Sequence, residues 1–564
     1  MTDSRVISDN STEEKEADKA QAQKADIKEA ATETEPQMLR EVGRQYSRNV
    51  LTTILARVVN MARGVVLVPY LLYHLGLEAY GIWTTIFILV SYVGVTTLGI
   101  SNVYIKYVAE FHARREYDRA NSLLSTGLAI TIPLCGAIFL FFLLAWNWYS
   151  PWLHLPAAHA ADGKEAVLIV LGVFLSAISL SGFGDILAAT QQIASTQVFL
   201  ILGILAEFAA ILILVGSGRG IRGLAEAYLI RTLFNDGLAI WWAWRKLDWL
   251  HLSPRLVRRE SIRYVLHFGG LVQFQSMLSI FLDSVERVTA LGMIGTAAAG
   301  LLDVAKKWPS SLSTVPMAFF AALLPAASHV DAASSDADRM RNLRTLYLDS
   351  SRYANLCTSA FVAVLALWAV PLLHVWLGSQ LPMRQTLIPL FVVFSLAAQF
   401  HMLTGPGTST FRGMGRVYEE FTYSIPNLIL LAVTLPMARW IEGRWSPLGI
   451  GVAVSAATAG SACVLMGRVH VVLRVPLKSF LRKVIVPGFT PYLVAGVLAW
   501  PLACLTQGTN RWQGMGILTV AGLLYLAGVL TVLHRWVLTE AEKTKELQWC
   551  RQSLGRLRGR EALA

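Results

Sequence analysis

From Asn49 to Trp536 the chain is a succession of apolar runs separated by short polar connections. A helix needs about 20 mostly apolar residues to cross a hydrocarbon core of roughly 30 Å. Fourteen runs suit that length: 49–74, 79–103, 122–147, 165–189, 196–216, 223–245, 264–291, 296–326, 350–374, 385–410, 420–438, 448–468, 486–504 and 514–536. Inside a bilayer a helix satisfies all its backbone polar groups within one segment, so these runs predict helices. Composition agrees. Hydrophobic residues make up 54% of the 564 and charged residues only 15%, with a mean hydropathy of +0.50. A soluble domain carries about 25% charged residues. The expected fold class is an all-α polytopic membrane protein with about 14 transmembrane helices.

The ends differ from the middle. Residues 1–48 hold 11 acidic and 8 basic side chains and almost nothing apolar before Met38. Such a segment buries too little surface to offset its ordering entropy. A disordered cytoplasmic tail is expected, with a solvated Ala/Glu/Lys-rich helix as the alternative. With no basic start leading into an apolar core, it is not a signal peptide. If the N-terminus is cytoplasmic, the cytoplasmic connections hold 27 Lys and Arg and the opposite ones 7. That asymmetry places both termini in the cytoplasm of a cell with this chain in its inner membrane. The net charge of +12 is thereby assigned to topology, and no nucleic-acid partner is expected. Cys135, Cys357, Cys463, Cys504 and Cys550 are odd in number and scattered, which gives neither a disulfide framework nor metal-ligand spacing.

Weak internal matches recur at a near-constant offset. Pro151-Trp-Leu-His154 returns as Pro371-Leu-Leu-His374, Asp118-Arg119 as Asp338-Arg339, Gly81 as Gly300 and Thr190 as Thr410. The offsets are 219 or 220, which is six helices, so both copies enter the membrane in the same sense. Two six-helix lobes related as a parallel repeat are expected, with a central cavity between them and two extra C-terminal helices. The boundaries are a tail at 1–48, an N-terminal lobe at 49–247 and a basic cytoplasmic linker at 248–263. A C-terminal lobe follows at 264–470, then the two additional helices at 471–537 and a basic cytoplasmic tail at 538–564.

Charges inside membrane helices are costly and need a reason. At 100° per residue, Asn49, Thr53, Arg57, Asn60 and Arg63 fall within about 120° on the first helix, one polar and cationic face. Arg57 is near enough to the helix start to snorkel to the headgroups; Arg63 is deeper and points to a cavity. The eighth helix carries Asp303 and Lys307 four apart, able to pair, with Lys306 to spare and Ser310 and Thr314 on the same stripe. It is either a neutral patch against another helix or an anion site facing the first helix. Pro309, Pro316 and Pro325 are expected to kink it. On the seventh helix Asp283 lies one turn deeper than Glu286 and Arg287, with Gln273, Ser276 and Ser279 on roughly the same face. Asp283 is the expected proton or cation carrier, with Asp303 in reserve and Glu286 at the water boundary. Glu207, the lone carboxylate of the fifth helix, is expected to be hydrogen-bonded glue between helices; Arg231 and Asn235 share a face of the sixth and are expected to line the same cavity; Asp185 near a helix end is expected to be wet.

The stretch Leu75-Gly-Leu-Glu-Ala-Tyr-Gly-Ile-Trp83, following Pro69 and leading to Leu98-Gly-Ile-Ser-Asn102, resembles the polysaccharide transporter, or O-antigen flippase, family. So do Gly269-Gly-Leu-Val-Gln273, Leu291-Gly292, Ala299-Gly300, Trp376-Leu-Gly378 and Gly413-Met-Gly-Arg416. The family belongs to the multidrug/oligosaccharidyl-lipid/polysaccharide flippase superfamily. The resemblance covers roughly residues 45–480 and implies two six-helix lobes around a V-shaped cavity, often with two extra helices. It implies export of a polyprenyl-diphosphate-linked oligosaccharide for cell-surface polysaccharide synthesis, by alternating access. Arg57 and Arg63 also resemble, in spacing, the paired first-helix arginines of the lipid II flippases, whose following tetrapeptide is here Tyr80-Gly-Ile-Trp83. On this reading Arg57, Asn60, Arg63, Lys306, Lys307 and Arg231 bind the diphosphate, while the prenyl tail stays among membrane lipids. A monomer is expected, beside polysaccharide polymerase or export machinery.

Other classes find less in the sequence. There is no phosphate-binding Gly-rich loop with its Lys-Ser/Thr, no His/Cys/Asp cluster with metal spacing, and no large loop bearing catalytic acids. No enzyme, cofactor or metal is expected. A cation-coupled drug or metabolite antiporter on the same fold is the alternative, and a polytopic glycosyltransferase or polymerase a more distant one.

Overall fold

Wherever the structure describes the predicted apolar runs, they lie on helix. The computed structural model describes the backbone of residues 6–94, 100–153, 155–311, 336–378 and 383–537, with isolated positions at 323, 327, 328, 330, 331 and 543. Side chains are described within these from residue 48 onward, except 102, 263–276, 336, 337, 417, 536 and 537. No strand occurs among the described residues.

The longest element, α1 (Val6–Val93), is two helices merged across a break at Gly76, whose φ of 77° a side-chain-free residue adopts without strain. Residues 6–48, expected to be disordered, are instead a helical extension of the first apolar run. Their Ala, Glu, Gln and Lys are strong helix formers, and an adjoining helix removes the cost of nucleation. Then follow α2 (Ile100–Ala113), α3 (Tyr117–Leu144), α4 (Ala160–Ala189), α5 (Ile193–Gly216) and α6 (Gly220–Lys246). The second half of the chain begins with α7 (Arg259–Met293) and α8 (Thr296–Ser311). It continues through α9 (Asp336–Leu367), α10 (Ala369–Leu377), α11 (Arg384–Met402) and α12 (Gly405–Gly413), and ends with α13 (Phe421–Glu442), α14 (Pro447–Leu473), α15 (Thr490–Thr506) and α16 (Arg511–Val532).

Nine helices among the described residues are long and apolar enough to cross a membrane, and ten if Asp338–Leu367 with Ala369–Leu377 counts as one span. That pair is bent by 74°, where one straight helix was expected at 350–374. The cause is Pro371, whose ring conflicts with the carbonyl four residues earlier, at Leu367, where α9 ends. In α8, Pro309 lies in the last turn; Pro316, Pro325 and Thr314 lie outside the described residues.

Helices α3 to α6 pack mainly on one another and on α1, and α9, α11, α13 and α14 form a second group with α8. The last pair, α15 and α16, docks on the outer side of that group against α9 and α10. Hydrogen bonds fix the docking: the Trp368 indole donates to the Ala495 carbonyl at 3.0 Å, and the Tyr525 hydroxyl to the Ala360 carbonyl at 2.7 Å. The two groups meet where α1 crosses α8. A Cβ on Gly81 would run into the Thr296 carbonyl oxygen, and one on Gly300 would sit 3.0 Å from the Leu77 carbonyl oxygen. Leu77 and Thr296, like Gly81 and Gly300, are 219 residues apart. The contact is reciprocal, as residues related by a two-fold axis make at that axis. The sequence repeat is thus visible as geometry at this crossing, where two small residues bring backbones together without a hydrophobic drive.

Candidate functional site

Beside the crossing, the first half of α1 faces α7 and α8 across a cavity of about 320 Å³. From α1 it is lined by Arg57, Asn60, Met61, Arg63 and Gly64; from α7 by Asp283 and Arg287; from α8 by Asp303, Lys306, Lys307, Ser310 and Ser311. Gly64 lies against Lys307, whose Cε a Cβ there would meet at an ordinary contact distance of 3.4 Å. The polar faces read from the sequence on the first and eighth helices thus line one space.

The charges sort into three sets. On the α8 wall, Asp303 accepts the Tyr80 hydroxyl at 2.6 Å and an Arg287 nitrogen at 3.1 Å, with Lys307 at 3.7 Å. Lys306 donates to Glu286 at 2.8 Å and to the Asp283 carboxylate at 3.1 Å. Three cations here meet three carboxylates. The second set lies behind α1, where the Glu207 carboxylate holds Arg63 and, at 3.5 Å, Arg231. Two guanidiniums thus share one carboxylate. The third is Arg57 alone, exposed and without a hydrogen bond or ion pair among the described residues. With every group ionised, the α8 wall is neutral, and behind α1 the two guanidiniums Arg63 and Arg231 face Glu207 and, beside Arg231, Asp236, which leaves Arg57 as the unpaired cation. The two guanidiniums that α1 itself presents to the cavity are Arg57 and Arg63.

This arrangement corrects several expectations. Lys306 is not spare, because α7 supplies it with two carboxylates. Asp283 was expected to be the desolvated acid of α7, yet its side chain is 72% exposed while that of Glu286 is wholly buried. The face of α7 turned toward α8 carries Glu286, so depth along the helix mispredicts burial. Glu207 ties helices together as expected, through Arg63 and Arg231, and Arg231 joins it instead of lining the cavity. Asp185 is half-buried with one carboxylate oxygen unbonded, not fully wet. Gln273 and Ser276 fall where side chains are not described. Tyr80 and the pairing of Arg287 were not foreseen, since their partner lies 223 and 16 residues away on another helix. No group of three or more His, Cys, Asp or Glu fit to hold a metal occurs among the described residues.

The family described as polysaccharide biosynthesis protein matches residues 75–382, more than half of the chain. The chain belongs to this family. An uncharacterized membrane protein, EpsK, of Bacillus subtilis (strain 168) is 22% identical over 541 residues, covering 91% of this chain and 99% of the relative. Among solved structures, the lipid II flippase MurJ in an inward closed conformation superposes with a TM-score of 0.61 at 12% identity, over 86% of this chain and 98% of that one. An inward-facing multidrug resistance MATE family transporter of the MOP superfamily gives 0.59 at 16% identity, over 74% and 94%. This family member therefore has the multi-helix fold seen in those two membrane proteins.

Proposed function

We propose that the chain is a flippase for polyprenyl-diphosphate-linked oligosaccharide, working by alternating access across the cytoplasmic membrane. The observation that carries this reading is the pair of guanidiniums, Arg57 and Arg63, that α1 presents to the cavity with no carboxylate lining that side. A diphosphate linking a lipid to a sugar bears about two negative charges, and a guanidinium fork binds such oxygens in pairs while staying charged. Arg57 and Arg63 are the direct ligands, with Asn60 as a hydrogen-bond donor beside them. Lys306 and Lys307, already neutralised, shape the opposite wall. Sugars occupy the wet cavity and the prenyl tail remains in lipid.

Membership in a polysaccharide biosynthesis family supports this substrate class, and the resemblance in fold to a lipid II flippase is consistent with it. A cation-exporting antiporter would need spare carboxylates, whereas Asp283, Glu286 and Asp303 are all paired. The segments 49–247 and 264–470 act as the two moving lobes, with both termini cytoplasmic in an inner membrane. The monomer hands its product to a polymerase or export machinery on the far side.

The test is made in the producing cell. Loss of the protein should trap lipid-linked oligosaccharide in the cytoplasmic leaflet, where externally added glycan-modifying reagents do not reach it. Arg63→Ala should reproduce the block with normal protein in the membrane, and Arg63→Lys should restore only part of the flux, because a point charge replaces a fork. Unimpeded export by Arg63→Ala would remove the anion site from α1.

A further inference from the structure

Glu207 is the odd member of the cluster. Its side chain is only 3% exposed and does not line the cavity, yet it bonds a guanidinium that does. Arg63 and Arg231 reach it from different helices, α1 and α6, and both approach the same carboxylate oxygen. The Arg63 Nε is buried and makes no hydrogen bond. Two guanidiniums thus stand behind and beside the cavity with Glu207 between them and Asp236 beside Arg231, and Glu207 is the carboxylate that offsets the guanidinium lining the cavity.

We infer that Glu207 is a specificity-determining residue: an internal counter-ion to the cavity arginine Arg63 that keeps a bound diphosphate releasable. The inference rests on the diphosphate reading of the cavity and names what tunes it. Without this carboxylate Arg63 would stand uncompensated with Arg57 in a partly dehydrated space, where each charge counts for more than in water. A diphosphate would then bind tightly and leave slowly. With it, a second anion entering beside Arg63 competes with Glu207 for the same guanidinium, so binding exchanges one carboxylate partner for a phosphate one. Carboxylates that only tie helices together make a different prediction, because removing one loosens the site and weakens whatever binds there.

The two roles separate in the purified full-length protein with farnesyl diphosphate as the binding probe and a farnesyl-diphosphate-linked sugar as the transported one. Glu207→Gln keeps the size and a hydrogen-bond acceptor but removes the charge. It should bind farnesyl diphosphate roughly tenfold more tightly, with a steeper dependence on salt, while KM for the linked sugar falls and kcat falls with it. Glu207→Gln combined with Arg231→Ala restores the net charge, and its affinity should return toward that of the wild type. Glu207→Asp should behave like the wild type. Weaker or unchanged binding by a well-folded Glu207→Gln, with the wild type binding the probe, would overturn the counter-ion role and leave the flippase reading standing. Failure of the wild type itself to bind or move the diphosphates would overturn that reading and this inference together. Should Glu207→Gln not fold, tighter binding by Glu207→Gln combined with Arg231→Lys, which keeps the added positive charge, supports the inference, and weaker binding overturns it.

Discussion

Tyr80 shows how much of the site hangs on single side chains. It is 2% exposed, belongs to the second half of α1, and its hydroxyl donates to Asp303 on α8 at 2.6 Å. The bond fills one acceptor site of a carboxylate that also takes Arg287 and faces Lys307. A hydrogen bond to a charged group contributes about 1.5–3 kcal/mol. Tyr80→Phe should therefore lower the thermal unfolding temperature of the purified protein by about 1–3 °C while leaving its membrane level near normal; an unchanged transition would mean that Arg287 and Lys307 hold Asp303 unaided. Arg57, Asn60 and Arg63 were legible in the sequence because helical periodicity alone puts them on one face. Tyr80, Arg287 and the Glu207 pairing were not, because periodicity orders residues within a helix and says nothing about which helix stands opposite. The same gap explains Asp283 and Glu286: their depth was readable, but which of them α8 covers was not.

Between elements, the decisive contact is the α1–α8 crossing. The sequence repeat pointed to Gly81 and Gly300 as equivalents, and the fold brings these equivalents together. Their lack of a Cβ is what lets two backbones approach this closely. Gly81→Val should splay the helices and abolish transport in a protein that still inserts. A single cysteine at Ala297, in a background without the native five, should become reactive to an impermeant thiol reagent in that variant. Gly237→Ala, where a Cβ would meet nothing, should change neither. Equal reactivity in all three proteins would mean that this crossing does not close the cavity. Other element-scale features were readable only in retrospect. Pro371 marks the bend between α9 and α10, but a proline in an apolar run is also compatible with a kinked continuous helix. The helical extension at residues 6–48 was offered by propensity and outweighed, at the level of sequence, by its charge.

For the whole molecule, apolar runs fixed the fold class because bilayer thickness dictates their length, while the cavity needed the packing of three helices to become visible. Its charge balance has a consequence for energetics. The empty carrier keeps the unpaired positive charge of Arg57 and is drawn toward a negative cytoplasm, a return step worth roughly 2 kcal/mol per 100 mV if that charge crosses the full field. A ligand of two negative charges leaves the loaded carrier with one negative charge, which the same field drives outward. Net export then needs no ATP and no coupled ion. The most direct measurement is transport of a polyprenyl-diphosphate-linked sugar by reconstituted protein, with the membrane potential clamped. The wild type should flip the lipid away from the cytoplasmic face, faster when that side is negative, and Arg57→Ala combined with Arg63→Ala should be inactive at any potential. Flipping by that double variant at the wild-type rate, or a wild-type rate indifferent to potential, would contradict the account.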